Sequence, residues 1–485
     1  MTQSNGVPSL ERPRDSQDLA AEGSSSSSRD LTAVGGKDPS TSLSVVYRIA
    51  DTSWEEKAIC YFFEQYTIVD DIPGSPGHLG FVPSLYAVCR DQSLGSSASS
   101  SLRLAVDATS LIAMSNLVGA PSLVAQARNR FGLALQRLQA ALNSPVEAVK
   151  DETFATLVIL TLFEDISGDR NGFPSSHTLG FDALMKLRGD NQLVHAQGLD
   201  MFKFAFVHMQ VESLVLREKP RFDVDWLVQR LDSTDPLQQL MIIAAGIAPL
   251  VCEPSSISNG LGGASITQLA EWIDSCRKLD TELFEWSHSV PGDGLPLAIR
   301  SHTGEDVLTY REMIIASIWL HYRVGRMMVH LVLIDLFRTL ASTVKSPGIQ
   351  REASQQEAES IRICQDLITE SCQSIPFTFG EVDLFGNPLA PSTGGKHPVR
   401  AFYIHSMMWP LWFILTCDLT TPTQAQMIRS VLSRSGTTLG IKLALFLANT
   451  SREDVLASIA SNPGMSSFAP SFTQSMGDLY STGGE

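Results

Sequence analysis

The chain has 485 residues, 44 % of them hydrophobic and 18 % charged, a globular composition long enough for a large core. Its 36 basic and 52 acidic side chains give a formal net charge of −16. That balance excludes a nucleic-acid binder that works by bulk charge, because phosphate recognition needs a basic footprint.

The seven cysteines, Cys60, Cys89, Cys252, Cys276, Cys364, Cys372 and Cys417, are scattered and contain no C-x-x-C pair. This argues against a secreted disulfide framework and a cysteine zinc site. The N-terminal residues hold no apolar run of the secretory type. The most apolar windows, Phe154 to Phe163, Met241 to Cys252, Met327 to Phe337 and Met407 to Cys417, fall short of the roughly 20 residues that span a bilayer. They read as buried helix segments of an intracellular protein.

Residues 1–44 include the five serines Ser24 to Ser28 and no apolar cluster, so they read as a disordered tail or linker. From Ser53 the period becomes helical. Trp54, Ala58, Phe62, Phe63 and Tyr66 share one face. Asp70 to Pro83 reads as loop, and Ser93 to Ser101 as a loop or helix entry. Helices are predicted over Leu102 to Leu117, over Leu123 to Leu142 after Pro121, and from Pro145 through the window ending at Phe163. His177 to Arg188 and Met201 to Leu216 follow. After a loop over Cys252 to Ser265, further helices are predicted at Ile266 to Trp286, Asp306 to about Leu340, Glu352 to Ser374 and Val399 to Cys417, with two more between Gln424 and Asn449. Strict two-residue alternation is absent. The expected fold is all-α: a multi-helix domain over 45–450, with a short helix and a frayed tail over 451–485.

An all-α chain of this size raises the question of a terpene cyclase, whose chemistry needs paired carboxylates to hold Mg²⁺ and a diphosphate. Asp70-Asp71 is followed at once by Ile72-Pro73-Gly74, and Glu164-Asp165 with Asp169 runs into a glycine-rich loop. Solvated helix ends explain both. His321 and His330 lie nine apart, and His397 and His405 eight apart, not at the i, i+4 spacing of a helical metal pair. Each reads as a satisfied histidine. Met313, Trp319, Met327 and Met328 read as core. G-x-S-x-G, P-loop and G-x-G-x-x-G motifs are absent. We therefore expect no catalytic, cofactor-binding or metal-binding residue, and no cofactor. An apolar effector cavity between the helices remains open.

One stretch is more specific. Glu152, Ala155, Thr156 and Glu164, then His177, Gly180, Leu184, Arg188 and Gly189, resemble the regulatory domain of fungal zinc-binuclear-cluster transcription factors. Phe181 stands where that family has a small residue. Downstream, Tyr322, Arg323 and Arg326 resemble its "Y-R-x-x-R" helix, Ser374 to Gly380 its "S-I-P-[YF]" helix end, and Met408 to Phe413 its "W-P-L" helix. The four motifs occur in the family's order between Trp54 and Asn449. Physically they are scaffold: Arg188 suits a helix C-terminus, Gly189 a C′ position, Pro376 a helix exit and Pro410 a helix start or kink.

The resemblance implies a fungal transcriptional regulator of the nucleus, or of cytoplasm and nucleus, controlling a metabolic or secondary-metabolite gene set. The family's six-cysteine zinc finger has no counterpart in these residues, since Cys60 already falls inside the helical region. Either the finger has been lost or the reading frame begins too late. The expected partners are a DNA-binding regulator or the transcription machinery, a small-molecule effector and a second copy of the chain. Membrane contact and autonomous DNA binding are not expected. The alternative is an all-α enzyme or binding protein that reuses the scaffold.

Overall fold

A computed structural model describes residues 53–67, 79–91, 95–169, 177–220, 222–252, 263–389, 399–451 and 453–454. The expected tail 1–44, most of the final segment, Asp70-Asp71 and His397 lie outside the described residues.

The first half is built on three helices, α3 (Ser97–Val118), α4 (Pro121–Leu142) and α6 (Asp151–Ser167). Before them come α1 (Trp54–Tyr66) and α2 (Phe81–Asp91), and the four-residue α5 (Pro145–Ala148) joins α4 to α6. The predicted serine loop is a helix entry: the Ser96 side chain caps α3 by accepting from the Ser99 N–H. The apolar window of α6 is buried almost all round, as a helix packed on several sides must be. Phe163 stacks on Phe131 of α4, with ring centroids 4.3 Å apart. Buried hydroxyls tie α6 to α3, where Ser101 and Thr156 lie 2.9 Å apart. On α1 the buried residues are Ala58, Phe62 and Tyr66, whereas Trp54 is half exposed.

Next come α7 (Thr178–Arg188), α8 (Ala196–Leu216), the short α9 (Val224–Val228), α10 (Pro236–Ala245) and α11 (Ile247–Cys252). The apolar window Met241 to Cys252 is thus two helices broken at Gly246. A capping box of Ser265 and Gln268 opens α12 (Ile266–Ser289).

The sequence reading fails at Asp306. Residues Asp306–Thr309 form strand β2, which pairs antiparallel with β1 (Leu297–Arg300) in the register Leu297↔Thr309 and Arg300↔Asp306. The long helix, α13, begins only at Met313 and runs unbroken to Thr343. Three successive buried residues, Val307 to Thr309, conceal the strand because they do not alternate. Gly304, at φ +83°, makes the turn.

The rest is helical: α14 (Pro347–Thr378), α15 (Ala401–Leu415), α16 (Pro422–Thr438) and α17 (Lys442–Asn449). Pro376 sits two residues before the end of α14, as a helix exit should. Pro410 does not start a helix. It lies inside α15, where it withholds the N–H that would close on the Ser406 carbonyl. At the head of the segment where a short helix is expected, the Ser451 hydroxyl accepts from the Asp454 N–H at 3.1 Å, and the rest of that segment lies outside the described residues. Among the described residues, no helix is long and apolar enough to cross a membrane.

The two halves interlock. α13 packs on α12, α14 and α15, while α17 reaches back to α6 and α11 to α8. Asn116 fastens one such junction, donating to the Ile166 and Gly440 carbonyls at 2.8 Å each.

Candidate functional site

The motif residues prove to be the fasteners of this frame. The acid that ends the first motif and the histidine that opens the second meet across the intervening loop, with Glu164 and His177 at 3.2 Å. Arg188 does more than face its own helix terminus. Its guanidinium pairs with Asp151 in the first turn of α6 and lies over the Phe154 ring, 5.1 Å from the centroid. Burial lowers its pKa and Asp151 opposes that shift. Gly189 takes φ +62°, which favours glycine. Phe181, the departure from the family pattern, is fully buried against Phe154 and meets Phe204 and His208 of α8 edge-on.

Arg323 and Arg326 clamp α13 to its neighbours. Arg323 is fully buried and donates to Glu370 at 3.0 Å, to the Tyr310 hydroxyl at 2.8 Å and to Ser374 at 3.2 Å. Arg326 grips Asp280 of α12 with two donors, at 2.6 and 3.3 Å. His330 adds a third contact to Asp280, at 3.0 Å. Burial alone would raise the Asp280 carboxyl, but the hydrogen bonds from His330 and Arg326 override it and bring it down to about 2. None of these groups lines the apolar cavity between α8, α10, α13 and α15.

The carboxylates weighed as a metal site are separated by their partners. Glu164 faces His177, Asp165 pairs with His405 at 2.8 Å, and Asp169 pairs with Arg128 at 2.8 Å. Among the described residues no group of three His, Cys, Asp or Glu side chains is placed to hold a metal ion.

A mainly apolar concave feature lies elsewhere. A cavity of about 210 Å³ opens between α8, α10, α13 and α15, with α6, α11 and α17 each adding a residue. Its walls are mainly apolar: Val207, Val211 and Leu214 from α8, Leu240 and Met241 from α10, and Ile318 from α13. Gly325 of α13 leaves room for Ile247, whose Cδ1 would stand 3.0 Å from an added Cβ.

A small polar set is embedded in these walls. Ser317 of α13 and Ser406 of α15 share a hydrogen bond of 2.9 Å. His321 Nδ1 donates to the Ser317 carbonyl at 2.7 Å, and its Nε2 accepts from the Trp409 indole N–H at 3.2 Å. Burial lowers the His321 pKa and the backbone bond opposes that shift. The Asp165–His405 pair forms another part of the lining, and His208 and Gln210 of α8 a third.

Sequence reasoning treated His321 and His405 as satisfied histidines. Both are paired, and both also face the cavity. It missed Gln210, Ser317 and Ser406. The usable signal was a polar residue within an apolar stretch, as Gln210 is between Met209 and Val211.

The frame described here is shared with a family of regulators. The fungal specific transcription factor domain matches residues 95–448, and the chain belongs to that family. No curated protein and no solved structure matches the chain.

Proposed function

We propose that this chain is a transcriptional regulator of the fungal nucleus that acts through protein partners and governs a metabolic or secondary-metabolite gene set. The family match over 95–448 carries the reading. The net charge of −16 supports action through a partner that reads DNA, since the chain as a whole carries no excess of positive charge for phosphates. The motif residues act as fasteners between helices, which fits a scaffold for protein contacts better than a reaction centre. We assign no residue a catalytic role.

Fusion of the full chain to an unrelated DNA-reading module, placed upstream of a reporter, tests this directly. The reporter should change several-fold in either direction when the fusion is nuclear and folded. An unchanged reporter under those conditions rejects the regulatory reading. A gel-shift titration of the chain alone near physiological salt should give no sequence-dependent complex. One at submicromolar concentration would overturn the partner-dependent mode.

A further inference from the structure

The apolar cavity is too small for a peptide and larger than a solvent site needs. An apolar cavity of about 150 Å³ suffices for a benzene-sized guest, and this one has about 210 Å³. Its lining contains no lysine or arginine among the described residues. An anionic guest would therefore lose its hydration and find no permanent positive charge, the lining's basic side chains being the histidines His208, His321 and His405. The one carboxylate, Asp165, is already engaged by His405 at 2.8 Å, which leaves a cationic guest in competition with an internal partner. His321 is held by a carbonyl at one nitrogen and an N–H at the other, and the two serines bond to each other.

Gln210 is different. It is 7 % exposed, it lines the cavity, and its amide makes no hydrogen bond with any described residue. The amide is not among the fully buried unpartnered atoms, so a group that enters the cavity can reach it, and native proteins leave few polar groups unpaired in apolar surroundings. Here the amide borders an apolar space with room for a guest that could complete it.

We propose that this cavity binds an uncharged, largely apolar small molecule of one or two rings whose carbonyl group pairs with the Gln210 amide. The assignment rests on the cavity and does not depend on the regulatory reading. Apolar walls supply the affinity by area, and the single amide orients the guest.

Three naphthalene probes of nearly equal size separate the alternatives: 2-acetylnaphthalene, uncharged with a carbonyl; 2-naphthoate, an anion; and 2-naphthylmethylammonium, a cation. Titration calorimetry with the full chain should show the ketone binding in the micromolar range and both ions at least about 10-fold more weakly. Gln210→Leu should weaken the ketone at least about 5-fold and leave 2-ethylnaphthalene, its hydrocarbon counterpart, unchanged or tighter. Ala244→Phe, which fills the space, should abolish binding of both, with helical content and melting temperature checked for each variant. Either ion binding as tightly as the ketone overturns the proposal. So does an unchanged ketone affinity in Gln210→Leu, or the absence of binding by all four probes to the folded chain.

Discussion

The indole N–H of Trp409 points at Nε2 of His321, 3.2 Å away, and this fixes the proton that the imidazole carries. A ring nitrogen that accepts has no hydrogen of its own. Nδ1 must therefore hold the proton it donates to Ser317, and His321 is neutral. The link joins α13 to α15 across the cavity wall.

A pH dependence of known sign follows from that neutrality. The folded-state pKa of His321 lies below the ordinary value of 6.5. The unfolded chain thus takes up a proton that the folded chain resists. The His321 contribution is complete above about pH 6.5 and is lost as pH falls below it, at up to about 1.4 kcal/mol per pH unit. Urea unfolding from about pH 7.5 to about pH 5.5 should show this slope in the wild-type chain. His321→Gln, which keeps a group able to accept from Trp409, should lack it.

Asp280 behaves in the opposite sense. Its carboxyl is depressed to about 2, so its stabilisation is present above the ordinary value of 3.8 and is lost as pH falls through about 2. Asp280→Asn should flatten the acid limb of a stability profile. At neutral pH, Arg326→Ala should cost about 3 kcal/mol, because it leaves a mostly buried carboxylate with His330 alone. A cost under about 1 kcal/mol in urea melts would show that solvent takes over the role of Arg326.

Arg323 should tolerate loss better, although it is the more deeply buried arginine. Its carboxylate partner Glu370 is about half exposed, and Tyr310 and Ser374 bond to each other at 2.7 Å without it. Its Nη2 has no partner. Arg323→Met therefore strands no buried charge and removes an orphan donor. It should lie within about 1.5 kcal/mol of wild type in denaturant melts and clearly above Arg326→Ala.

Two glycines should respond with opposite signs. Gly132 lies inside α4, with nothing within 4 Å of an added Cβ. Gly132→Ala should stabilise by about 0.5–1 kcal/mol. Gly440 has φ +71°, and an added Cβ would stand 2.7 Å from the Asn116 Cβ. Gly440→Ala should destabilise by more than about 1 kcal/mol, because both backbone strain and the Asn116 fastening are engaged. Melting curves of the two variants give the comparison.

Local pattern made much of the frame legible. The 3.6-residue period marked most of the helices, and the four motifs marked the joints at Glu164–His177, Arg188, Arg323 and Arg326. The motifs did not show what the joints hold, since Asp151, Asp280 and Glu370 lie 37 to 47 residues away from the arginines that they meet. The cavity was less legible still. Its lining runs from Asp165 to Leu443 and draws on seven helices, so no window of sequence contains it. The hairpin was missed because β2 is buried at three consecutive positions, a pattern that a helix also produces.

The long helix α13 presents one side to the cavity, through Ser317, Ile318, His321 and Gly325, and another to the clamps at Arg323 and Arg326. It is therefore a stationary beam. Turning it to widen the cavity would pull both guanidiniums off their acids at once. The opposite wall is softer, because α10 and α11 meet the cavity through Leu237, Leu240, Met241, Ala244 and Ile247. Their junction at Gly246 rests on Leu279 of α12, 3.3 Å from where a Cβ would stand. An oversized guest would thus be felt as displacement passed outward from α10 to α12. Its footprint in hydrogen exchange should fall on those two helices and spare α13.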